Sequence, residues 1–344
     1  MITIGVDPHK SSHTAVALDA GGAVMGEVRL VATKAATSNA LTWAKPWPER
    51  TWAIEGAAGL GQLLAQQLVA AGERVVDVPC TLAAKARLLD VGHGRKTDAI
   101  DAASVARVAQ QRPELRQVVP EDHTRVLRLL SDRRNEIAEE RRRSVNRLHH
   151  LFRDLRPGGA PIGLSADTAA KLLKAIHPQT VVDAERKTMA RELVIDIRRL
   201  DRVLELNRDR CKQAVASSGT SLTEVFGISD VLAAKIIGQA GDVTRFKSAD
   251  HFASYTGTAP IEASSGPIVR HRLSRAGNRQ LNHALHLAAR VQAIHPNPGQ
   301  TYYQRKLAEA KTRQEALRCL KRQIAKAVYR VLLADHQRLR IVGD

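Results

Sequence analysis

Aromatic residues make up only 3% of this 344-residue chain, so any sizeable core must be aliphatic, built from Ala, Leu, Val and Ile. No stretch approaches the ~20 apolar residues of a membrane-spanning helix, and no signal peptide precedes the first apolar run. The expectation is a cytoplasmic protein with no membrane partner. Its three cysteines, Cys80, Cys211 and Cys319, stand far apart without metal-ligand spacing. They read as reduced, buried thiols. The basic stretch RQEALRCLKRQIAKAVYRVLL lacks the interleaved aromatics that would stack single-stranded bases.

Acidic residues are the other shortage. The chain has 35 Asp and Glu against 53 Lys and Arg, a formal charge of +18. Residues 1–110 are nearly balanced at +1, whereas residues 266–344 carry +12. The C-terminal part is therefore the surface suited to a polyanion. A length of 344 residues allows two or three domains.

The organisation follows from apolar runs and their breaks. Short strands are predicted at 1–8, 12–19 and 23–32, with Gly21-Gly22 suited to a hairpin turn. A helix near 36–46, a strand at 50–55, a helix near 59–71, a strand near 74–78 and a helix over 98–110 complete a domain of residues 1–115. That order belongs to a ribonuclease H-like α/β fold, in which the ends of the first and fourth strands lie side by side. Residues 116–218 read as a helical or coiled-coil arm. One stripe runs through Val126, Leu130, Ile137, Leu148, Phe152 and Leu155, and a second through Leu193, Ile197, Leu200, Leu204, Cys211 and Val215. Such an arm could serve as spacer, dimer interface or rail along nucleic acid. Residues 219–344 read as a mainly helical domain. It opens on a helix-hairpin-helix-like unit with Gly227 in the hairpin and Ser229 where a second glycine is usual.

Four acids sit where a metal-dependent nuclease needs them. Asp7 and Glu55 close apolar runs, and Asp98 and Asp101 share one face at a helix start. An unpaired carboxylate at the end of an apolar strand is costly, whereas Mg²⁺ takes oxygen ligands from a few carboxylates plus water or phosphate. The alternative reading is local: acids in a first helical turn are what the helix dipole favours.

A second constellation is YTGTAPIEASSGPIVRHRLSRAGNRQL. Ser264 and Ser265 precede Gly266, and Arg270, Arg272, Arg275 and Arg279 follow. A serine becomes a nucleophile beside groups that stabilise its alkoxide, and a phosphate under attack needs positive charge on its equatorial oxygens. A solvent loop whose arginines simply bind phosphate is the competing reading. Arg141, Arg142 and Arg143 on the arm are further nucleic-acid contacts. His283 and His286 read as packed or phosphate-facing, or as a base or metal pair.

GVDPHK, AIEGA, KTDAIDA and the blocks FGISDVLAAKIIGQAGD, ASYTGTAPIEASSG and RAGNRQL together resemble the DEDD transposases of the IS110 insertion-sequence family and the related Piv-type DNA invertases. The resemblance spans nearly the whole chain. It implies a RuvC-like domain whose four acids, here Asp7, Glu55, Asp98 and Asp101, bind Mg²⁺ (Mn²⁺ as substitute). It also implies a C-terminal nucleophilic serine, best matched by Ser265, the position before Gly266, with the adjacent Ser264 as its rival. The family is further thought to combine the two domains in one site, often across protomers of a dimer or tetramer. An element-encoded RNA then selects donor and target DNA.

Three other functions compete. A junction-resolving nuclease would use water as nucleophile and leave Ser265 structural. A sugar kinase of actin-like fold needs a glycine-rich phosphate loop, which PHKSS does not supply. A non-enzymatic nucleic-acid scaffold would have no use for the acid set.

Overall fold

The computed structural model describes residues 1–89, 97–262, 271–272 and 277–343. They form two compact units, Met1–Glu121 and Asp122–Asp344.

In the first unit the strands are β1 (Ile2–Pro8), β2 (Ser12–Leu18), β3 (Val24–Val31), β4 (Arg50–Glu55) and β5 (Val75–Val78). The helices are α1 (Ala36–Trp43), α2 (Gln62–Ala70), α3 (Cys80–Leu89) and α4 (Asp98–Gln111). The sheet order is β3-β2-β1-β4-β5, antiparallel within β1–β3 and parallel across β1–β4 and β4–β5. This is the ribonuclease H-like mixed sheet expected from the element order. The β2–β3 turn is tied by Asp19, whose carboxylate accepts from Gly21 N (2.9 Å) and Ala23 N (2.8 Å).

Alternation sorts each strand between two layers. Ile4, Val6, Trp52 and Ile54 pack with Ala40, Leu64 and Leu68 of α1 and α2. On the opposite face Val16 and Leu18 meet Ala102, Ala103 and Ala106 of α4. Ala53, Val76 and Val78 meet Val105 and Val108 there. Gly5 belongs to that second face. A Cβ placed on Gly5 would lie 2.0 Å from the Ala102 carbonyl oxygen and 2.6 Å from Ala106 N. The helix backbone therefore rests directly on the strand, at a spot only glycine can occupy. At the sheet's far end Glu73 binds Arg50 and accepts from Trp52 Nε1 at 2.8 Å.

The second unit contains α5 (His123–Leu155), α6 (Ala166–Lys174), α7 (Val181–Ser217), α8 (Asp230–Ala240), α9 (Ala249–Tyr255), β6 (Ile261–Glu262), β7 (His271–Arg272), α10 (Arg279–Ile294), α11 (Pro298–Ala308) and α12 (Arg313–Gly343). Helices α5 and α7 pair along their length. Asn207 Nδ2 donates to the Leu130 carbonyl (3.1 Å) and Arg134 to the Leu204 carbonyl (2.9 Å). At one end of the pair, α6 packs Ala169 and Leu173 onto Leu148, Phe152, Val194 and Ile197. At the other, Leu127, Leu130, Cys211 and Val215 enter the core built by α8, α9, α10 and α12. Buried Asp335 pins α12 by accepting from Thr220 Oγ1 (2.7 Å), Ser221 Oγ (2.7 Å) and Ser221 N (3.0 Å).

Several expectations shift in detail. Helices α3 and α6 are additions. Val126 is exposed while its neighbour Leu127 is buried; Leu204 is only partly buried, and Asn207, between Leu204 and Cys211, is buried. Cys80 is exposed rather than buried; Cys211 is buried and Cys319 intermediate.

Gly5→Ala is expected to lower the unfolding free energy by about 3 kcal/mol or more, the upper range for overpacking. A urea titration would show an earlier midpoint, and an unchanged midpoint would refute the close approach.

Candidate metal centre and the serine-bearing segment

The first and fourth strands run parallel, with Val6 opposite Ile54 as the last register pair. Asp7 and Glu55 follow at once, so two acids 48 positions apart in sequence meet at one end of the sheet. Both acids lie on the α4 face, two residues beyond Gly5 and Ala53 respectively. Helix α4 begins here: Thr97 caps it by accepting from Ile100 N (3.2 Å), with Asp98 and Asp101 in the first turn. The glycine contact thus brings the helix start down to the strand ends.

Asp7 and Asp101 are both 8% exposed. Burial pushes the Asp7 carboxyl up from the ordinary 3.8 to about 6, with His9 opposing and Glu55, Asp101 and Asp98 adding to the rise. Three other acids are therefore close enough to repel its charge. Among the described residues Arg87 of α3 answers them, donating to Asp101 Oδ1 at 2.7 Å. His9, just past β1, places Nδ1 3.6 Å from Asp7 Oδ2 and Nε2 3.9 Å from Asp98 Oδ1. Its Nδ1 is buried without a hydrogen-bond partner. Clustered carboxylates that disfavour their own ionisation, beside an unused imidazole nitrogen, form a donor set that fits a divalent cation. Arg87 and His9 were not singled out from the sequence. The only local signal for His9 was its place two residues after Asp7. Cys80, exposed at the surface, also borders the cluster, where the slight burial of its thiol and then Glu55 push it up.

In the second unit, Ser264, Ser265, Arg270 and Arg275 lie outside the described residues, and only the backbone of Arg272 is described, in β7. The flanks of this segment are firmly built. Asn278 caps α10 by accepting from Gln280 N (2.9 Å) and Leu281 N (3.0 Å), and its own N–H donates to the Tyr255 carbonyl (2.7 Å). Asn282 Nδ2 donates to the carbonyls of Thr256 (2.9 Å) and Gly257 (3.1 Å), while buried Lys321 donates to Asn282 Oδ1 (2.6 Å). The residues entering and leaving the serine segment are therefore held against one another. Arg279 is exposed in the first turn of α10. His283 and His286 are pushed toward the neutral form by burial first, then by Lys235 and Lys321 for His283, and by Lys321 and Arg290 for His286.

The remaining contacts named from the sequence divide. Arg141 pairs with Asp201 across α5 and α7, and Arg142 with Glu139 on its own helix; Arg143 is exposed. Gly227 has φ +84°, and a Cβ there would lie 3.1 Å from the Ala288 carbonyl. Packing against α10 thus explains this glycine without a phosphate.

Without added metal, Asp7 is expected to titrate near pH 6. Because its pKa is raised on folding, its contribution to stability is complete below about pH 4 and is lost as pH rises through 6. A bound cation competes with the proton, so metal affinity should climb over the same interval. Carboxyl-carbon NMR checks both: a midpoint near 4, unmoved by Mg²⁺, would contradict them.

A family model described as transposase of the DEDD, IS110 type matches residues 4–157. A second, for the transposase IS116/IS110/IS902 family, matches residues 219–304. The 44.8 kDa protein of insertion element IS116 from Streptomyces clavuligerus is 27% identical over 379 aligned positions, covering 96% of this chain and 94% of the relative. The 42 kDa protein of IS900 from Mycobacterium paratuberculosis is 28% identical, covering 96% and 95%. The 43.6 kDa protein of IS110 from Streptomyces coelicolor is 28% identical, covering 81% and 80%. Among solved structures, Thermus thermophilus RuvC with a Holliday junction substrate matches 34% of this chain and 99% of its own at 11% identity and a TM-score of 0.28. With one model on the carboxylate-bearing segment and the other on the serine-bearing segment, the chain belongs to the IS116/IS110/IS902 family of transposases.

Proposed function

We propose that this transposase cuts and rejoins DNA by transesterification through Ser265, with Mg²⁺ held by Asp7, Glu55, Asp98 and Asp101. The observation that carries the reading is the convergence of four carboxylates from β1, β4 and α4, with Asp7 pushed up to about 6 by burial and its acidic neighbours. A divalent cation bound there would supply positive charge to the phosphate under attack, and Mn²⁺ can replace Mg²⁺ in such an oxygen-rich set.

In the first step Ser265 Oγ forms an ester bond to a DNA phosphorus as the bond to one strand oxygen breaks. The serine proton ends on that departing hydroxyl. In the second, a hydroxyl of another strand attacks the linkage, the Oγ–phosphorus bond breaks and the proton returns to Ser265. One phosphodiester replaces another, so no ATP is consumed. Arg270, Arg272, Arg275 and Arg279 hold the phosphate backbone and offset charge on its oxygens. Arg143 is free to follow the backbone further along α5, and Arg141, Arg142 and Gly227 keep that role only if their protein contacts give way. Two DNAs call for a dimer or tetramer, and the +12 C-terminal segment suits an element-encoded RNA that chooses donor and target.

Denaturing gels of protein incubated with element-junction DNA, Mg²⁺ and the element's RNA test this. Wild type and Ser264→Ala should form a covalent protein–DNA adduct. Ser265→Ala should form none, and Asp7→Ala should lose at least about 100-fold in rate, as expected on removing a charge-stabilising group. Cleavage without adduct, undiminished in both serine variants, would instead mean a hydrolytic RuvC-like nuclease.

A further inference from the structure

We propose that His9 is a direct ligand of the cation that Asp7 and Asp98 bind, giving the site one nitrogen donor and a preference for Mn²⁺ over Mg²⁺. This rests on the carboxylate-metal reading above and assigns a residue outside its four acids.

The chain turns sharply after β1: Pro8 ends the strand, and His9 N donates to the Ser12 carbonyl at 2.8 Å. That turn directs the imidazole back over Asp7 toward the start of α4. One ligand atom each from Asp7, His9 and Asp98 lie within 4.8 Å of one another, the one such trio among the described residues. The spacing is informative. Direct hydrogen bonds span about 2.7–3.2 Å, and the His9 contacts of 3.6 and 3.9 Å exceed that. Donor atoms about 2.1 Å from a shared ion stand about 3.0 Å apart when cis and 4.2 Å when trans in an octahedron. Only one ring nitrogen can bind a given ion, and for Nδ1 the 3.6 Å to Asp7 Oδ2 falls in that interval.

The neighbour of Nδ1 is Asp7 Oδ2 at 3.6 Å, an ionic pair only when the imidazole is protonated. His9 Nδ1 is buried and makes no hydrogen bond, although the ring's outer side is open, with 45% of the side chain exposed. A buried polar atom without partner is costly, and a cation on Asp7 would relieve that cost. Mn²⁺ and Mg²⁺ both favour carboxylate and water oxygen, but Mg²⁺ dehydrates reluctantly and keeps its waters, so an added imidazole nitrogen is gained more readily by Mn²⁺. The half-exposed ring also makes its replacement tolerable to the fold.

The test uses the full-length protein with Mn²⁺ alone, read by pulsed EPR, together with calorimetric titrations of Mn²⁺ and Mg²⁺. Wild type should show hyperfine coupling to a directly bound imidazole nitrogen, and His9→Gln should lose it. In that variant Mn²⁺ affinity should fall about tenfold or more, while Mg²⁺ affinity changes less than about threefold, the nitrogen donor mattering more to the softer ion. Absence of nitrogen coupling in wild type, or an equal loss for both ions in His9→Gln, would overturn the assignment. Asp7→Asn separates the two levels. Binding abolished there but intact in His9→Gln removes only the histidine, whereas binding unaffected by Asp7→Asn removes the carboxylate site as well.

Discussion

The carboxylate cluster depends on the absence of one side chain. At Gly5 the backbone of α4 lies against β1 so closely that a Cβ would sit 2.0 Å from the Ala102 carbonyl oxygen. Strand alternation puts Gly5 and Asp7 on the same face, so the contact that seats the helix also sets the height of Asp98 and Asp101 above Asp7. The alanines at 102, 103 and 106 continue this close approach across Val16 and Leu18 of β2. Larger residues on either surface would lift the helix and separate acids contributed by distant parts of the chain.

Much of this was legible from sequence because apolar runs ending in an acid are hard to explain otherwise. Asp7 and Glu55 could be paired in space from element order alone, and the parallel register of β1 with β4 now places them adjacent. Helix α3 escaped notice because CTLAAKARLL is short and its flanking segment carries glycine and charge; with it went Arg87, the cation on Asp101. His9 was quoted within GVDPHK without a role, since nothing local tells a ligand from a turn residue. What identifies it is the turn that folds it back, a tertiary property.

The helical unit shows the same division. Spacings of three, four and seven found the α5 and α7 faces, but the seam read from Leu204 to Cys211 passed over Asn207, which is buried because its amide is satisfied by the Leu130 carbonyl. Helix α6 is amphipathic, burying Ala166, Ala169 and Leu173, but at nine residues it spans too few turns for its period to stand out. Local arginine density likewise overstated free charge: Arg142 is engaged with Glu139 on its own helix, and Arg141 with Asp201, a partner 60 residues away that charge counting cannot see.

The lock between α5 and α7 has a metrical consequence. With Asn207 bonded to Leu130 O and Arg134 to Leu204 O, a slide by one helical turn would strand a buried amide and a guanidinium together. The pair therefore behaves as a rod of set length. The 33 residues of α5 measure about 50 Å at 1.5 Å per residue, which equals about fifteen base-pair steps of duplex DNA. Inserting or deleting one heptad in both helices would keep the seam in phase while changing the reach by about 10 Å, so distance and fold can be varied separately in this protein.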